Sequence, residues 1–489
     1  MTPIRLSLFL SLADNYAGVA LGLISTLIIS RLLTPEEIGI FGVAAVLASL
    51  ASMFRDFGVG EYLIQAKELT AEKIRACFAI NLIVSWLMAA LLFFTSNLAG
   101  EFFRQPGVAV VVKIQSINFL LIPFGAVAMA YFRRELNYRP IMIANVIGNT
   151  MSFAVSTVSA LQGFGYVSLA FGSVTGVVCT VAVSLALRPK DFPRWPSFTG
   201  AMDVVHFGKH ATGIYLLNHV GKYSPDVVIG RVIDVTSVAI FSRANGLLEV
   251  FNRAFLQAVM PMCLPYFSKA IRSGDDIRFA YLKSVTLLTG IGWPFILLVC
   301  VIAFSAIRML YGPQWTASVP IARILCVAAL IELPYILVSE LMIANGRVDL
   351  SHRLQLYILC MRLGSLVGVF HFGLTGVGWG WALAALGAAA AGHRLLHCEI
   401  GIRLSDLARA TLPSAAVTAL ALAPALIIVT VAGQNEDNYL AVFGSCSAAT
   451  GVSWLLAVRL CKHPCWTEVS SLLSRRAKGK QPPTGAASS

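Results

Sequence analysis

The sequence predicts an all-α polytopic membrane protein of about fourteen transmembrane helices, arranged as two pseudo-symmetric six-helix lobes plus two C-terminal helices. Three observations carry that expectation. The 489 residues are 57% hydrophobic and only 12% charged, about half the charge of an ordinary soluble domain. Apolar stretches of about 18 to 25 residues recur along the whole length, each able to cross about 30 Å of hydrocarbon as a helix. And Ile29-Ser30-Arg31-Leu32-Leu33 through Ile40-Phe41-Gly42-Val43-Ala44 returns as Ile229-Gly230-Arg231-Val232-Ile233 through Ile240-Phe241-Ser242-Arg243-Ala244, so a membrane hairpin is repeated.

In chain order the expected spans are 11–33, 38–62, 76–98, 109–131, 140–160, 164–187, 207–230, 236–266, 281–304, 316–343, 354–371, 374–396, 411–431 and 439–459. The first is too long for a cleavable leader, holds Asp14 and Asn15 and lacks a small-x-small cleavage site, so it is expected to stay. Short turns such as Thr34-Pro35-Glu36-Glu37 close the hairpins on one side, and basic clusters close them on the other. Lys67, Lys73 and Arg75 precede the third span, Arg133, Arg134 and Arg139 the fifth, and Arg188, Lys190 and Arg194 the seventh, with Lys209 at its start. Segment 236–266 is the least regular, with Arg243, Glu249, Arg253, Pro261 and Pro265 inside it. Lys269, Arg272, Arg278 and Lys283 follow it, then Arg347 and Arg353, then Arg394, Arg403 and Arg409.

With the N-terminus inside, about 26 of the 37 basic residues lie in cytoplasmic gaps or the tail. Only about five, Arg31, Arg104, Lys113, Arg231 and Arg308, lie near the other face. Both termini are therefore expected in the cytoplasm, and the net charge of +13 reports membrane orientation, not nucleic acid. An offset of two hundred residues spans an even number of crossings, so the copies run parallel, and the interface of such halves is a usual place for a transporter's substrate. The organisation expected is an N-lobe over 1–187, a Pro-rich cytoplasmic linker over 188–206, a C-lobe over 207–397, the last two spans within 398–460, and a basic tail of disordered composition over 461–489.

Ionisable residues inside a span cost roughly 2.5 to 3.5 kcal/mol at a helix centre, so each needs a reason. The basic ones are Arg55, Lys222, Arg243, Arg253, Arg323 and Arg362, and the acids are Asp56, Asp226, Glu249, Glu332 and Glu340. Glu249 and Arg253 are spaced for an i,i+4 ion pair, and Arg55 is placed to snorkel. Lys222 stands between Gly221 and Ser224-Pro225 and shares a hairpin with Arg243 and Arg253. Lys222, Arg243, Arg253, Arg362 and Arg55 are the candidate lining of a cationic cavity suited to phosphate or pyrophosphate. Asp56, Asp226, Glu249 and Glu332 are candidate coupling or structural acids.

The ten cysteines are scattered singly and imply no disulfide framework. Cys461-Lys462-His463-Pro464-Cys465 offers too few ligands for a closed zinc site. His206 and His210, like His393 and His397, lack the Glu of a zinc-protease motif, and no phosphate-binding Gly-rich loop is present. No nucleophile, base and orienting group stand together, so neither an enzyme nor a cofactor or metal is expected.

Four stretches then resemble a known family. Ser30 through Phe41 with Arg55-Asp56-Phe57-Gly58-Val59-Gly60 and Leu63-Ile64-Gln65, and Asp226 through Ala244, look like its first and seventh-to-eighth span signatures. Leu310-Tyr311-Gly312-Pro313-Gln314-Trp315, and Asn345-Gly346-Arg347-Val348-Asp349 with Gly373-Leu374-Thr375-Gly376-Val377, look like its later loops. The chain resembles the polysaccharide transporter branch, the Wzx-like flippases, of the multidrug/oligosaccharidyl-lipid/polysaccharide exporter superfamily. The resemblance implies two six-helix lobes around a cationic cavity, with Arg243 at a basic signature position. It implies movement of an undecaprenyl-pyrophosphate-linked oligosaccharide from the cytoplasmic to the periplasmic leaflet of the bacterial inner membrane, for exopolysaccharide or lipopolysaccharide assembly. The implied partners are that lipid-linked oligosaccharide, the membrane, and a polysaccharide polymerase with its export machinery. Two alternatives stay open at this point: a multidrug or small-molecule exporter of the same superfamily, and a membrane-embedded polysaccharide polymerase or ligase. The first would favour intramembrane carboxylates over cations, and the second a substantial periplasmic loop.

Overall fold

In the computed structural model the residues described are 3–56, 58–66, 68–189, 192–193, 195–202, 204–206 and 223–467, and they contain helices and turns but no strand. Contacts divide the chain into two compact units, Met1–Ile240 and Phe241–Ser489. That division falls inside the repeated hairpin rather than in the expected linker. Eleven helices among the described residues are long and apolar enough to cross a membrane, or twelve if one bent pair is counted as a span. The expected fourteen also include 207–230, which lies partly outside the described residues, and the more polar helix carrying Asp349, Arg353 and Arg362.

The first unit contains α1 (Pro3–Leu32), α2 (Pro35–Asp56), α3 (Val59–Gln65), α4 (Ala71–Phe102), α5 (Pro106–Arg134), α6 (Tyr138–Leu161) and α7 (Val167–Leu187), followed by α8 (223–232). Helix α5 packs on α4 and α7, and α6 packs on α1 and α7. The α6–α7 seam is built from small residues. A methyl group added at Gly148 would strike Thr180, and one at Gly172 would strike Ser156, so the helices approach as closely as their backbones permit.

Both copies of the repeated turn start a helix in the same way. Glu37 accepts from the Thr34 N–H at 2.8 Å while Thr34 Oγ1 accepts from the Glu37 N–H at 3.3 Å, a reciprocal capping box. Two hundred residues on, Asp234 caps the next helix by accepting from the Ser237 N–H at 2.6 Å. Gly39 of the first copy lies against the Val235 carbonyl of the second, with no room for a side chain.

The second unit begins with α9 (Val235–Phe251, from Phe241 on), which passes through a π-helical segment, Asn252–Leu256, into α10 (Gln257–Ser273). The halves of this expected single span bend by 46°, as an inserted π-turn produces. Then come α11 (Ile277–Val301), α12 (Ala303–Tyr311), α13 (Ser318–Glu332), α14 (Val338–Ala344), α15 (Val348–Val369), α16 (Gly373–Leu395), α17 (Leu404–Ala432) and α18 (Tyr439–Leu460). Helix α12 was not expected. It is a short amphipathic helix that packs on α18, and span-length hydropathy does not register it.

Proline has no N–H to give the residue four positions back, and two of the prolines in this unit, Pro334 and Pro294, leave carbonyls that side chains fill. Each carbonyl is filled by a tryptophan from another helix. Pro334 breaks the expected span 316–343 at a 3-10 turn, Leu333–Tyr335, and Trp293 Nε1 donates to the Leu330 carbonyl at 3.2 Å. Tyr281 Oη, fully buried, donates to the Pro334 carbonyl at 2.9 Å. Pro294 lies within α11, and Trp454 Nε1 donates to the Gly290 carbonyl at 2.8 Å.

The first residues of the expected tail, 461–467, turn back and pack instead. Lys462 adopts a φ of 49°, and His463 and Cys465 are buried between α11, α17 and α18. His463 Nδ1 accepts from the Cys465 N–H at 3.2 Å, which leaves the ring proton on Nε2, 3.1 Å from Ser414 Oγ. Thr289 Oγ1 reaches the same hydroxyl at 2.8 Å. The composition of this segment is polar, but its polar groups are paired, so burial is permitted. Residues 468–489 of the expected tail lie outside those described.

Candidate functional site

The expected cationic residues separate into three groups once the helices are packed. Arg55, in the last turn of α2, lies over the Phe119 ring of α5 at 5.6 Å. Asp226 is half-buried on α8 and makes no hydrogen bond or ion pair among the described residues. Lys222 and the side chain of Asp56 lie outside the described residues.

Arg253 occupies the π-helical segment and pairs with Glu249, Nε to Oε1, at 3.1 Å. Asn252 donates to the other carboxylate oxygen at 3.0 Å. The side chains of Arg253 and Glu249 are 52% and 35% exposed, so this pair is a local i,i+4 bridge worth a few tenths of a kcal/mol, about 0.3–0.5.

The remaining two arginines define the strongest cluster. The guanidinium of Arg243, on the third turn of α9, stacks against Tyr311 at 5.4 Å and Trp315 at 5.0 Å. These rings belong to the Tyr311-Gly312-Pro313-Gln314-Trp315 motif. Gly312 takes a φ of 104°, which a side chain would oppose, and the 3-10 turn Pro313–Trp315 then carries the indole into complete burial. Two loops that look unrelated in the sequence therefore meet on one cation.

Elsewhere in the same unit, Arg362 of α15 faces Glu332, the last residue of α13. Arg362 Nη2 lies 2.9 Å from Oε1 and 3.1 Å from Oε2. The Trp381 ring of α16 lies beneath the guanidinium at 4.9 Å. Arg362 Nε is buried and has no hydrogen-bond acceptor among the described residues. Phe241 packs edge-on to Trp381 at 5.7 Å, so one turn of α9 joins the two arginine sites through aromatic contacts. Arg323 is exposed on α13 and Glu340 is half-buried on α14.

The sequence reading identified the cations and acids, named Tyr311 and Trp315 only as part of a loop motif, and missed Trp381. An indole face is the best aromatic partner for a guanidinium, but Trp315 lies between expected spans and Trp381 in the span after the one carrying Arg362, so neither stands beside its arginine in the sequence. A cavity of about 540 Å³ lies in the first unit between α1, α2, α5, α6 and α7. Its lining, including Ser25, Asn149, Ser152, Ser173 and Thr180, contains no ionisable carboxylate or base, so it offers an anion no charge.

The comparisons with known proteins agree with this architecture. The lipopolysaccharide biosynthesis protein WzxC of Escherichia coli (strain K12) is 22% identical over 375 residues, covering 75% of each chain. The succinoglycan biosynthesis transport protein ExoT of Rhizobium meliloti (strain 1021) is 25% identical over 302 residues, covering 62% of this chain and 61% of that one. Among solved structures, the lipid II flippase MurJ in its inward closed conformation superposes with a TM-score of 0.72 at 11% identity, over 92% of this chain and 99% of that one. The fold is therefore the multi-pass helical fold of that structure. The sequence profile of the family described as "Polysaccharide biosynthesis protein" matches residues 28–320, more than half of the chain, and the protein belongs to that family.

Proposed function

We propose that this protein translocates a polyprenyl-pyrophosphate-linked oligosaccharide repeat unit from the cytoplasmic to the periplasmic leaflet of the bacterial inner membrane, supplying exopolysaccharide or lipopolysaccharide assembly. The observation that carries the reading is the pair of arginines, Arg243 and Arg362, each inside the apolar part of the second unit and each backed by an indole. A guanidinium in that setting is costly unless it serves an anion, and pyrophosphate is the anionic part of such a substrate. The sugar chain must cross about 30 Å of hydrocarbon, whereas the polyprenyl tail can remain in lipid. The names of WzxC and ExoT and the flippase fold of MurJ support the same assignment.

In this reading the chain is a transporter rather than an enzyme, works by alternating access, and has both termini in the cytoplasm. It receives its substrate from the enzymes that assemble the lipid-linked unit, and hands it to a polymerase and its export machinery. Removing the gene is expected to abolish the surface polymer and leave the lipid-linked unit protected from periplasmic enzymes. A polymer that persists, with a change only in drug sensitivity, would reject this reading in favour of a multidrug exporter. Reporter fusions at residues 1 and 489 test the orientation, and activity of a periplasm-dependent reporter at either end would reverse it.

A further inference from the structure

The contact between Arg362 and Glu332 is built in a way that an ion pair meant only to hold two helices together is not. Both of its short distances come from one nitrogen, Nη2, so the two-nitrogen fork that makes an arginine–carboxylate pair strong is not engaged. Nε, on the edge that would complete the fork, is buried and has no acceptor among the described residues. The two side chains remain 32% and 27% exposed, so the pair is not sealed off. Glu332 is also the C-terminal residue of α13, where the helix dipole disfavours a carboxylate. The break at Pro334 fixes it there, because Trp293 holds the Leu330 carbonyl before the turn and Tyr281 the Pro334 carbonyl within it.

Arg362, in contrast, keeps a partner that does not depend on Glu332. Its guanidinium lies over Trp381 at 4.9 Å, and Trp381 is itself packed against Ile324, Ala328 and Ala385. A cation held by a ring face can exchange the acceptor in its plane without losing its position. A phosphate group presents several oxygens in the spacing that matches the unused edge.

We infer that Glu332 is an internal stand-in for the substrate's anion: it occupies Arg362 between transport events and is displaced by a pyrophosphate group. No bond is made or broken; one acceptor replaces another on the same guanidinium. The strength of the resident pair then sets how tightly the anion is held and how readily it leaves. This rests on the reading that the chain carries a pyrophosphate-linked substrate, and deepens it by assigning the residue that competes with that substrate.

The test uses the full-length protein in nanodiscs, with farnesyl pyrophosphate as the probe and farnesol as the lipid-only control. Glu332→Gln is expected to tighten farnesyl pyrophosphate binding by about tenfold, since it removes a competing charge but keeps the shape. Arg362→Gln is expected to weaken binding, and the double variant to match Arg362→Gln, with no gain from the second change. If Glu332→Gln leaves binding unchanged or weakens it while Arg362→Gln still weakens it, the competition is refuted and the anion site stands. If Arg362→Gln changes nothing, the competition is refuted with it. If the wild-type protein binds farnesyl pyrophosphate no better than farnesol, the pyrophosphate reading itself falls. Should Glu332→Gln fail to yield monodisperse protein, Glu332→Asp draws the carboxylate back by one methylene and is expected to tighten binding by a smaller factor, with unchanged or weaker binding refuting the competition.

Discussion

Helices α6 and α7 in the first unit, and α15 and α16 in the second, are the last two spans of their respective six in the expected repeat, yet they use their seams differently. Both pairs close on glycine. In α6–α7, Gly148, Gly172 and Gly176 meet serine and threonine across the seam, and residues 140–187 contain no charged side chain. In α15–α16, Gly380 lies against Val369 and Gly387 against Met361, but the pair also carries Arg362 stacked on Trp381. The same difference marks the repeated turn, where Val43 is buried in one copy and Arg243 is clamped by aromatics in the other. Close packing is thus common to both units, and the intramembrane charge chemistry resolved by the structure is concentrated in the second.

The largest expected effect breaks the seam without charge. Gly172→Val is expected to destabilise the first unit by about 3 kcal/mol, because the added atoms strike Ser156 and the Ser152 carbonyl. Recovery of monodisperse protein in detergent is the readout, and normal recovery would show that the α6–α7 seam can relax. Gly387→Ala is the matching change in the second unit. Its methyl meets only the flexible end of Met361, so little loss is expected.

Next in size is the loss of one charge. Arg362→Ala leaves Glu332 unpaired and is expected to cost about 1–2 kcal/mol, the reported range for a buried pair reduced for the one-third exposure of this one. Exchanging the residues, Arg362→Glu with Glu332→Arg, is expected to recover much of that stability while polymer export stays absent. Recovery of export by the exchange would assign the pair a structural role alone.

The proline-freed carbonyls predict a smaller, coupled effect. Trp454→Phe removes the donor to the Gly290 carbonyl and is expected to cost about 1 kcal/mol. With Pro294→Ala in place, the helix supplies its own N–H to that carbonyl, and Trp454→Phe is expected to cost less. Equal costs in the two backgrounds, measured by thermal unfolding, would show that the tryptophan contributes packing only.

The smallest effect is a dependence on pH. Burial pushes the His463 imidazole below its ordinary value, and a proton on Nδ1 would face the Cys465 N–H, donor against donor. A group whose folded pKa is depressed contributes stability above its unfolded pKa, near 6.5, and that stability is lost as pH falls from there toward the folded value. Thermal stability is therefore expected to decline between pH 7 and 5 more steeply in the wild type than in His463→Gln. Parallel profiles would rule out His463 as the titrating group.

The spans were legible in the sequence because burial in lipid imposes length and apolarity on each segment separately. What could not be read were features that depend on a second segment. Glu332 and Arg362 were both recognisable as costly residues, but their pairing depends on how α13 and α15 pack. Trp293 and Trp454 read as ordinary apolar residues, although each completes a helix broken by a proline elsewhere. Helix α12 was hidden because nine residues with a central Arg308 resemble a polar connection. The burial of 461–467 was hidden because its composition is that of a solvated tail, and only its hydrogen-bond partners on α11 and α17 make burial affordable.

That last segment has a consequence for how the protein is made. Thr289 and Ser414 are synthesised and inserted well before His463, so α11 and α17 must enter the membrane with their hydroxyls lacking the imidazole that later joins them. Gly290, whose missing side chain leaves space for the imidazole, keeps the slot open until then. The second unit therefore completes its assembly from its own C-terminal side, and a chain cut before residue 463 would present the insertion machinery with a polar notch between otherwise finished helices.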